Sequence, residues 1–274
     1  MSPGAHKNLT VGVAGLGAIG MPVARSLDQG IPGLRLVAVT VRDRAKAEAR
    51  MADFIAPAPV VGPDELAERA DVVVECVPAA VWDAVADRAI QLGRVFVPAT
   101  VGRLLSRFDL IEYARATGAQ IVVPSGAILG LDALRATAEG ELRSVTIETR
   151  KPPAGLAGAP HLERNGISVA DLTAPMRVFS GSAQAGVAGF PANVNVAAAV
   201  SLAGLGPERT RLEVWADPHV TSNQHTVRVE ADSARLTMTI ENTPSAENPR
   251  TGRITPLSVI ATLRGLATPM KVGT

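Results

Sequence analysis

Asn223 and His225 open the stretch SNQHTV (222–227), two polar side chains one residue apart where an alternating strand begins. Residues two apart on a strand share a face, so Asn223, His225, Val227 and Val229 point one way while Arg228 and Glu230 point the other. Imidazole, with an unperturbed pKa of about 6.5, suits proton transfer near neutral pH, and an amide beside it can hold a polar ligand. The competing reading of His225 is a buried histidine satisfied by a backbone carbonyl. Asn223 on the same face favours the functional reading, with both side chains projecting from the rim of a sheet into a ligand cleft.

A second constellation is GLGAIG, which sets Gly15, Gly17 and Gly20 in the G-x-G-x-x-G spacing between an apolar run and a helical pattern. There Gly15 suits a tight turn, Gly17 the approach of a pyrophosphate to the backbone, and Gly20 close packing of helix on strand. Ala18 and Ile19 complete the loop, whose helix start offers free N–H groups to phosphates. A dinucleotide site is the expectation.

An NAD site usually carries an acid about 20 residues beyond such a loop, at the end of the second strand. This chain has Thr40, Val41 and Arg42 there, and its first acid is Asp43. An uncharged Thr40 and a cationic Arg42 favour NADP, whose 2′-phosphate an acid would repel. NAD through Asp43 stays open, as does an Arg42 that is merely a solvated charge paired with Asp43. Cys76 and Val77 end a buried strand at the same edge and complete the expected cofactor contacts. A small core residue is the alternative for Cys76, and no His/Cys group has zinc-site spacing. Arg150 and Lys151 suit a carboxylate or a cofactor equally, but a charge beside Pro152 is commonly solvated, and both are left outside the candidate set. His161 and His219 read as surface residues.

The elements that must hold these groups follow from the hydrophobic pattern. NLTVGVAG, LRLVAVTV, DVVVECV, RVFVPAT and QIVVPSG are apolar throughout and alternate with helical stretches, which indicates a parallel sheet covered on both faces. The expected fold is α/β, a Rossmann-type doubly wound domain over 1–124. Then RSVTIETRK, RTRLEVWADP, NQHTVRVEAD and ARLTMTIEN alternate polar and apolar residues, the pattern of half-buried antiparallel strands. They imply a second α+β domain over 125–250 with an open mixed or antiparallel sheet. KPPAGLAGAPHLERNG between them reads as a loop, and SAQAGVAGFPANVNVAAAVSLAGLG as a helical pair. RITPLSVIATLRGL forms a closing helix within 251–274.

Composition excludes several partners. The chain has 274 residues, with 27 Lys+Arg against 26 Asp+Glu and a net charge of +1, which gives no electrostatic case for nucleic acid or an acidic membrane. Its single cysteine rules out an internal disulfide and suits a reducing compartment. No apolar run reaches the ~18 residues of a membrane span, and no leader pattern opens the chain. A cytoplasmic location is expected.

Several stretches together resemble the L-aspartate dehydrogenase family. They are PSGAILGLDAL (124–134), TRKPP (149–153), FPANVNVAAAVSLA (190–203), ADP with NQH (216–218, 223–225) and ENTPSAENPRTG (241–252). The resemblance implies a nucleotide domain, a substrate domain with an open sheet, a homodimer and a C-terminal helix returning to the first domain. It further implies that His225 is catalytic and that Asn223 contacts substrate. Asn193, Asn195 and Ser125, with the backbone after Gly126, are the further donors its motifs supply for substrate carboxylates. Helix capping is the equal alternative for Asn193 and Asn195. The implied reaction is NAD(P)-dependent oxidative deamination of L-aspartate through iminoaspartate to oxaloacetate and ammonia, feeding NAD biosynthesis or ammonia release. Two turns depart from the family pattern, CVPAAV with Pro78 and ATVGRLL with Pro98 and Arg103. They leave open a reductase or dehydrogenase for another amino acid. A dihydrodipicolinate reductase or homoserine dehydrogenase type lacks its paired-histidine or lysine patterns here, and a non-catalytic NADP(H) sensor is the reading from another class.

Overall fold

The structure is a computed structural model that describes residues 8–190, 194–245, 247–248 and 251–273. Contacts divide the chain between Pro124 and Ser125 and again between Thr255 and Pro256, with Pro256–Val272 grouped with the first unit.

In the first unit the apolar runs become strands β1 (Leu9–Ala14), β2 (Leu34–Thr40), β3 (Val72–Glu75), β4 (Val95–Pro98) and β5 (Gln120–Ile121). All neighbours pair in parallel, in the order β2-β1-β3-β4-β5. Val11, Val13, Val72, Val73 and Val74 are wholly buried, each burial being worth about 1.5–3 kcal/mol. Between the strands run α1 (Gly20–Asp28), α2 (Arg44–Arg50), α3 (Pro63–Arg69), α4 (Ala79–Gln91) and α5 (Asp109–Thr117). The order reverses at β1, so the turns after β1 and β3 flank the switch point at which doubly wound sheets take ligands. The helical stretch between β4 and β5 is broken: Val101–Ser106 is a 3-10 turn, and α5 starts only at Asp109.

The second unit contains α6 (Leu131–Ala138), β6 (Leu142–Lys151), α7 (Pro160–Arg164), β7 (Met176–Ser182), α8 (Ala183–Gly189), α9 (Asn195–Ala203), β8 (Arg211–Ala216), β9 (Gln224–Ala231) and β10 (Arg235–Glu241). Its sheet has the order β10-β9-β6-β8-β7. Three pairs are antiparallel, and β6 with β8 is parallel, so the sheet is mixed. That pairing follows from the long excursion between the two strands, which the sequence pattern did not resolve. Within it, the expected loop KPPAGLAGAPHLERNG folds as a short 3-10 turn and α7, with Leu156 and Leu162 in the core. The strand β7 was not anticipated either: it is an edge strand whose alternation is interrupted by a register shift between Arg177 and Phe179. His161, read as a surface residue, packs its ring against Phe179 and Phe190 at centroid distances of 5.2 and 5.3 Å.

One face of this sheet is buried. Ile147, Val227, Val229, Leu212 and Val214 point to it and join Leu134, Ala197 and Val200 of α6 and α9 in one core. The other face is polar, with Glu148 bridging Arg150 (2.6 Å) and Arg228 (3.1 Å). The last helix, α10 (Ile254–Ala267), places Val259 and Leu263 in the core of the first unit. Among the described residues no helix is long and apolar enough to cross a membrane.

Candidate functional site

The glycine loop has three different glycines. Gly15 follows β1 at φ +91, a conformation that disfavours side chains, and its N–H donates to the Thr40 carbonyl at 2.7 Å. A Cβ on Gly15 would strike the Cys76 carbonyl, and one on Gly20 would strike the Gly15 carbonyl. A Cβ on exposed Gly17 would meet nothing within 4 Å. The first and third glycines are therefore required by the fold, and the middle one leaves an open backbone face at the start of α1. Ala18 and Ile19 are half-buried beside it. This open face at the switch point fits the diphosphate of a dinucleotide.

At the end of β2 the candidates separate. Thr40 is buried, and its hydroxyl donates to the Val61 carbonyl at 2.9 Å, which binds Thr40 into the domain. Asp43 accepts from the Lys46 N–H at 3.0 Å as the N-cap of α2. Arg42 is exposed and forms no ion pair with Asp43 or with any other described residue. The solvated Arg42–Asp43 pair entertained from sequence is thus not formed.

At the end of β3 stands Glu75, wholly buried, which sequence reasoning passed over. Its carboxyl accepts from the Val77 N–H (2.7 Å), the Thr100 N–H (3.0 Å) and the Thr100 hydroxyl (2.9 Å). Burial outweighs these bonds and pushes the carboxyl above its ordinary pKa. The same residue thereby ties together the CVPAAV and ATVGRLL turns. Cys76 and Val77 follow it, the thiol pushed well up by burial and then by Glu75, so that it stays uncharged. Arg103, a departure from the family pattern, binds Asp83 of α4 at 2.7 Å, and its guanidinium carbon lies 6.0 Å from the Trp82 ring.

In the second unit, Asn223 immediately precedes β9, and its carbonyl accepts from the Asn242 N–H at 2.9 Å. His225 pairs with Thr149 on β6 and Ile240 on β10, points into the covered face and is 3% exposed. Its Nδ1 lies 3.0 Å from the Thr149 hydroxyl, so the partner is a side chain rather than the backbone carbonyl considered from sequence. Burial, and secondarily the Lys151 charge, hold the imidazole neutral by lowering its pKa to about 3.

Lys151 was set aside as a solvated charge, and it is buried at 5% exposure. The alternation along β6 puts it on the face of Ile147 and Thr149, and one further step of the β6–β9 register sets it beside Asn223. Lys151 and Asn223 both line a pocket of about 300 Å³, at the small end of the range of about 300–1,000 Å³ for small-molecule sites. Ser125 is half-buried in the turn before α6, where its carbonyl accepts from the Ile128 N–H at 3.2 Å. Asn195 is the first residue of α9 and Val194 is the N-cap, whose own side chain makes no capping bond. Asn193 lies outside the described residues. The structure thus brings together Asn223, His225, Thr149 and Lys151, and in the first unit the glycine loop with the ends of β2 and β3.

Comparison with known proteins agrees with both halves. A family model described as "Aspartate dehydrogenase, C-terminal" matches residues 132–266, and one described as "Homoserine dehydrogenase, NAD binding domain" matches 15–124. The chain is 50% identical over 270 residues to an L-aspartate dehydrogenase of Bradyrhizobium diazoefficiens, covering 98% of this chain and 96% of that protein. It is 50% identical over 274 residues to L-aspartate dehydrogenase 3 of Bordetella bronchiseptica, covering 98% and 99%. In fold it is similar to the crystal structure of aspartate dehydrogenase from Thermotoga maritima, with a TM-score of 0.73, 24% identity, and coverage of 97% of this chain and 99% of that one.

Proposed function

The chain belongs to the L-aspartate dehydrogenase family, nicotinamide-dependent oxidoreductases of amino acids, and from this we propose that it oxidatively deaminates L-aspartate through iminoaspartate to oxaloacetate and ammonia. The observation that carries the reading is the neutral, buried imidazole of His225, set on one sheet face with Lys151 and next to a pocket lined by Asn223.

The open backbone at Gly17, with Gly15, Ala18, Ile19 and Gly20 around it and Cys76 and Val77 at the adjoining strand end, would hold the dinucleotide. Bound there, the nicotinamide supplies the hydride acceptor for the substrate Cα. The remaining steps belong to side chains. In the tautomer whose Nδ1–H donates to the Thr149 hydroxyl, His225 keeps a lone pair on Nε2, and this is the form the proposal uses. Nε2 accepts a proton from the water that adds to the imine carbon, and the imidazolium returns it to the departing nitrogen as ammonia leaves and the keto acid forms. A neutral base is the form this step requires, and burial maintains it. Asn223, Asn193, Asn195 and Ser125 are the proposed donors to substrate oxygens.

Arg42, without an ion pair among the described residues while Asp43 is engaged as a helix cap, supports a preference for NADP over NAD. The proposal extends to a homodimer in a reducing, cytoplasmic compartment and to a supply of iminoaspartate for NAD biosynthesis. The test is stoichiometry: with L-aspartate and NADP or NAD, reduced nicotinamide, oxaloacetate and ammonia should appear in equal amounts. Turnover of another amino acid but not of L-aspartate would overturn the substrate assignment.

A further inference from the structure

Glu75 is the last residue of β3 and lies wholly buried at the carboxyl edge of the parallel sheet. It pairs with Ala14, the last residue of β1, on one side and with Pro98, the last of β4, on the other. One carboxyl oxygen, Oε1, accepts from the Val77 N–H (2.7 Å) and the Thr100 hydroxyl (2.9 Å), and the other, Oε2, accepts from the Thr100 N–H (3.0 Å). The Glu75 carbonyl accepts from the Ala99 N–H at 2.8 Å. The Cys76–Val77 segment held in this way also touches the glycine loop. There the Cys76 N–H donates to the Ala14 carbonyl at 2.7 Å, and a Cβ on Gly15 would meet Val77 Cγ1 at 3.3 Å. One side chain thus fixes the turns after β3 and β4 relative to the loop after β1.

A dinucleotide carries one nucleoside on each side of its diphosphate. With the diphosphate at Gly17 and the adenosine ribose at the end of β2 beside Arg42, the sheet order β2-β1-β3-β4-β5 leaves the ends of β3 and β4 for the nicotinamide nucleoside. We propose that Glu75 is the positioning residue of this nicotinamide half-site, its carboxyl holding the Val77 and Thr100 backbone in the form that seats the nicotinamide nucleoside. The assignment rests on the dinucleotide reading above, and it leaves the diphosphate and adenosine contacts to the glycine loop and the end of β2. A carboxyl is the group this task needs, because each of its oxygens takes a backbone N–H. The amide of a glutamine has the same shape, but whichever way it is turned its NH2 group faces one of those two N–H donors. One turn then loses its anchor while the side chain still fills the space.

The experiment is a calorimetric titration of the full-length wild type and Glu75→Gln with two ligand pairs, NADPH against 2′-phospho-ADP and NADH against ADP. The second member of each pair keeps the adenosine and the diphosphate and lacks the nicotinamide nucleoside. In Glu75→Gln the complete dinucleotide should lose about tenfold in affinity and the fragment less than about threefold, the scale of one hydrogen bond lost on the nicotinamide side alone. The emission of bound NADPH or NADH, which reports the surroundings of the reduced ring, should move towards that of the free cofactor. Thr100→Val removes the hydroxyl donor and leaves both N–H bonds, so it should show the same selective loss to a smaller extent. It carries the test should Glu75→Gln melt below the titration temperature. Equal losses for dinucleotide and fragment would make Glu75 a general support of the fold and overturn the proposal, as would unchanged affinity and emission. No turnover is involved, so the outcome is independent of which amino acid is oxidised. A wild type that binds neither the dinucleotides nor the fragments would overturn the dinucleotide reading, and the proposal with it.

Discussion

At the scale of single residues, two side chains carry the proposed chemistry through their surroundings rather than their type. His225 titrates in the unfolded chain near 6.5 and in the fold at about 3, so below the first value the unfolded chain binds a proton the native state refuses. Stability therefore declines as pH falls from about 6.5 towards about 3 and levels below that window. In His225→Asn this contribution is absent, and urea midpoints should fall less across the same window; an identical fall would show that His225 is not held neutral by burial. Arg42 is the second case. Reversal of its charge in Arg42→Glu should cut kcat/KM for NADP by at least about tenfold (~1.4 kcal/mol) while NAD is spared. Equal effects on both would remove Arg42 from the cofactor preference. The position of His225 was legible because alternation gives the face of a strand residue directly. Its partner Thr149 was not, since cross-strand register is fixed by pairing and leaves no local trace. Lys151 was open to the same alternation that placed His225, but the proline beside it suggested a strand end in solvent. Glu75 was missed because a strand-end acid in a run of valines has no pattern of its own.

At the scale of elements, the first βα turn and the β3 and β4 turns form one connected edge. Gly17 and Gly20 should respond oppositely to alanine. Gly20→Ala places a methyl against the Gly15 carbonyl and should cost about 2 kcal/mol or more in denaturant unfolding, whereas Gly17→Ala meets open space and should leave folding unchanged. Gly17→Ala should instead weaken dinucleotide binding by about tenfold (~1.4 kcal/mol), read by fluorescence titration. If Gly17→Ala binds normally, the phosphates do not approach that backbone. Glu75→Ala strips the acceptor from the Val77 and Thr100 amides, at about 1–3 kcal/mol for each donor left unsatisfied. A lowered melting temperature is expected, and an unchanged one would mean the two turns hold without the carboxyl. The glycine loop was readable because spacing and the flanking strand and helix agree. The strand β7 and helix α7 were not, because a register shift in one and a Pro/Gly-rich composition in the other mask weak local signals.

At the scale of the whole molecule, two cores divide the labour. One is built of β-branched parallel strands, and the other of a half-buried mixed sheet covered by α6, α8 and α9. The change from continuous to alternating hydrophobicity announced that division, and the excursion that makes β6 and β8 parallel did not show in any local pattern. The proposed chemistry turns on His225 as the proton-transfer group of an aspartate-oxidising enzyme. The most direct test is the initial rate of nicotinamide reduction with L-aspartate, measured for the wild type and His225→Ala with cofactor binding followed in both. The expected result is turnover by the wild type and a loss of at least about a hundredfold in kcat in the variant, as for removal of a general base, with cofactor affinity unchanged. Near-normal turnover by His225→Ala would contradict the account.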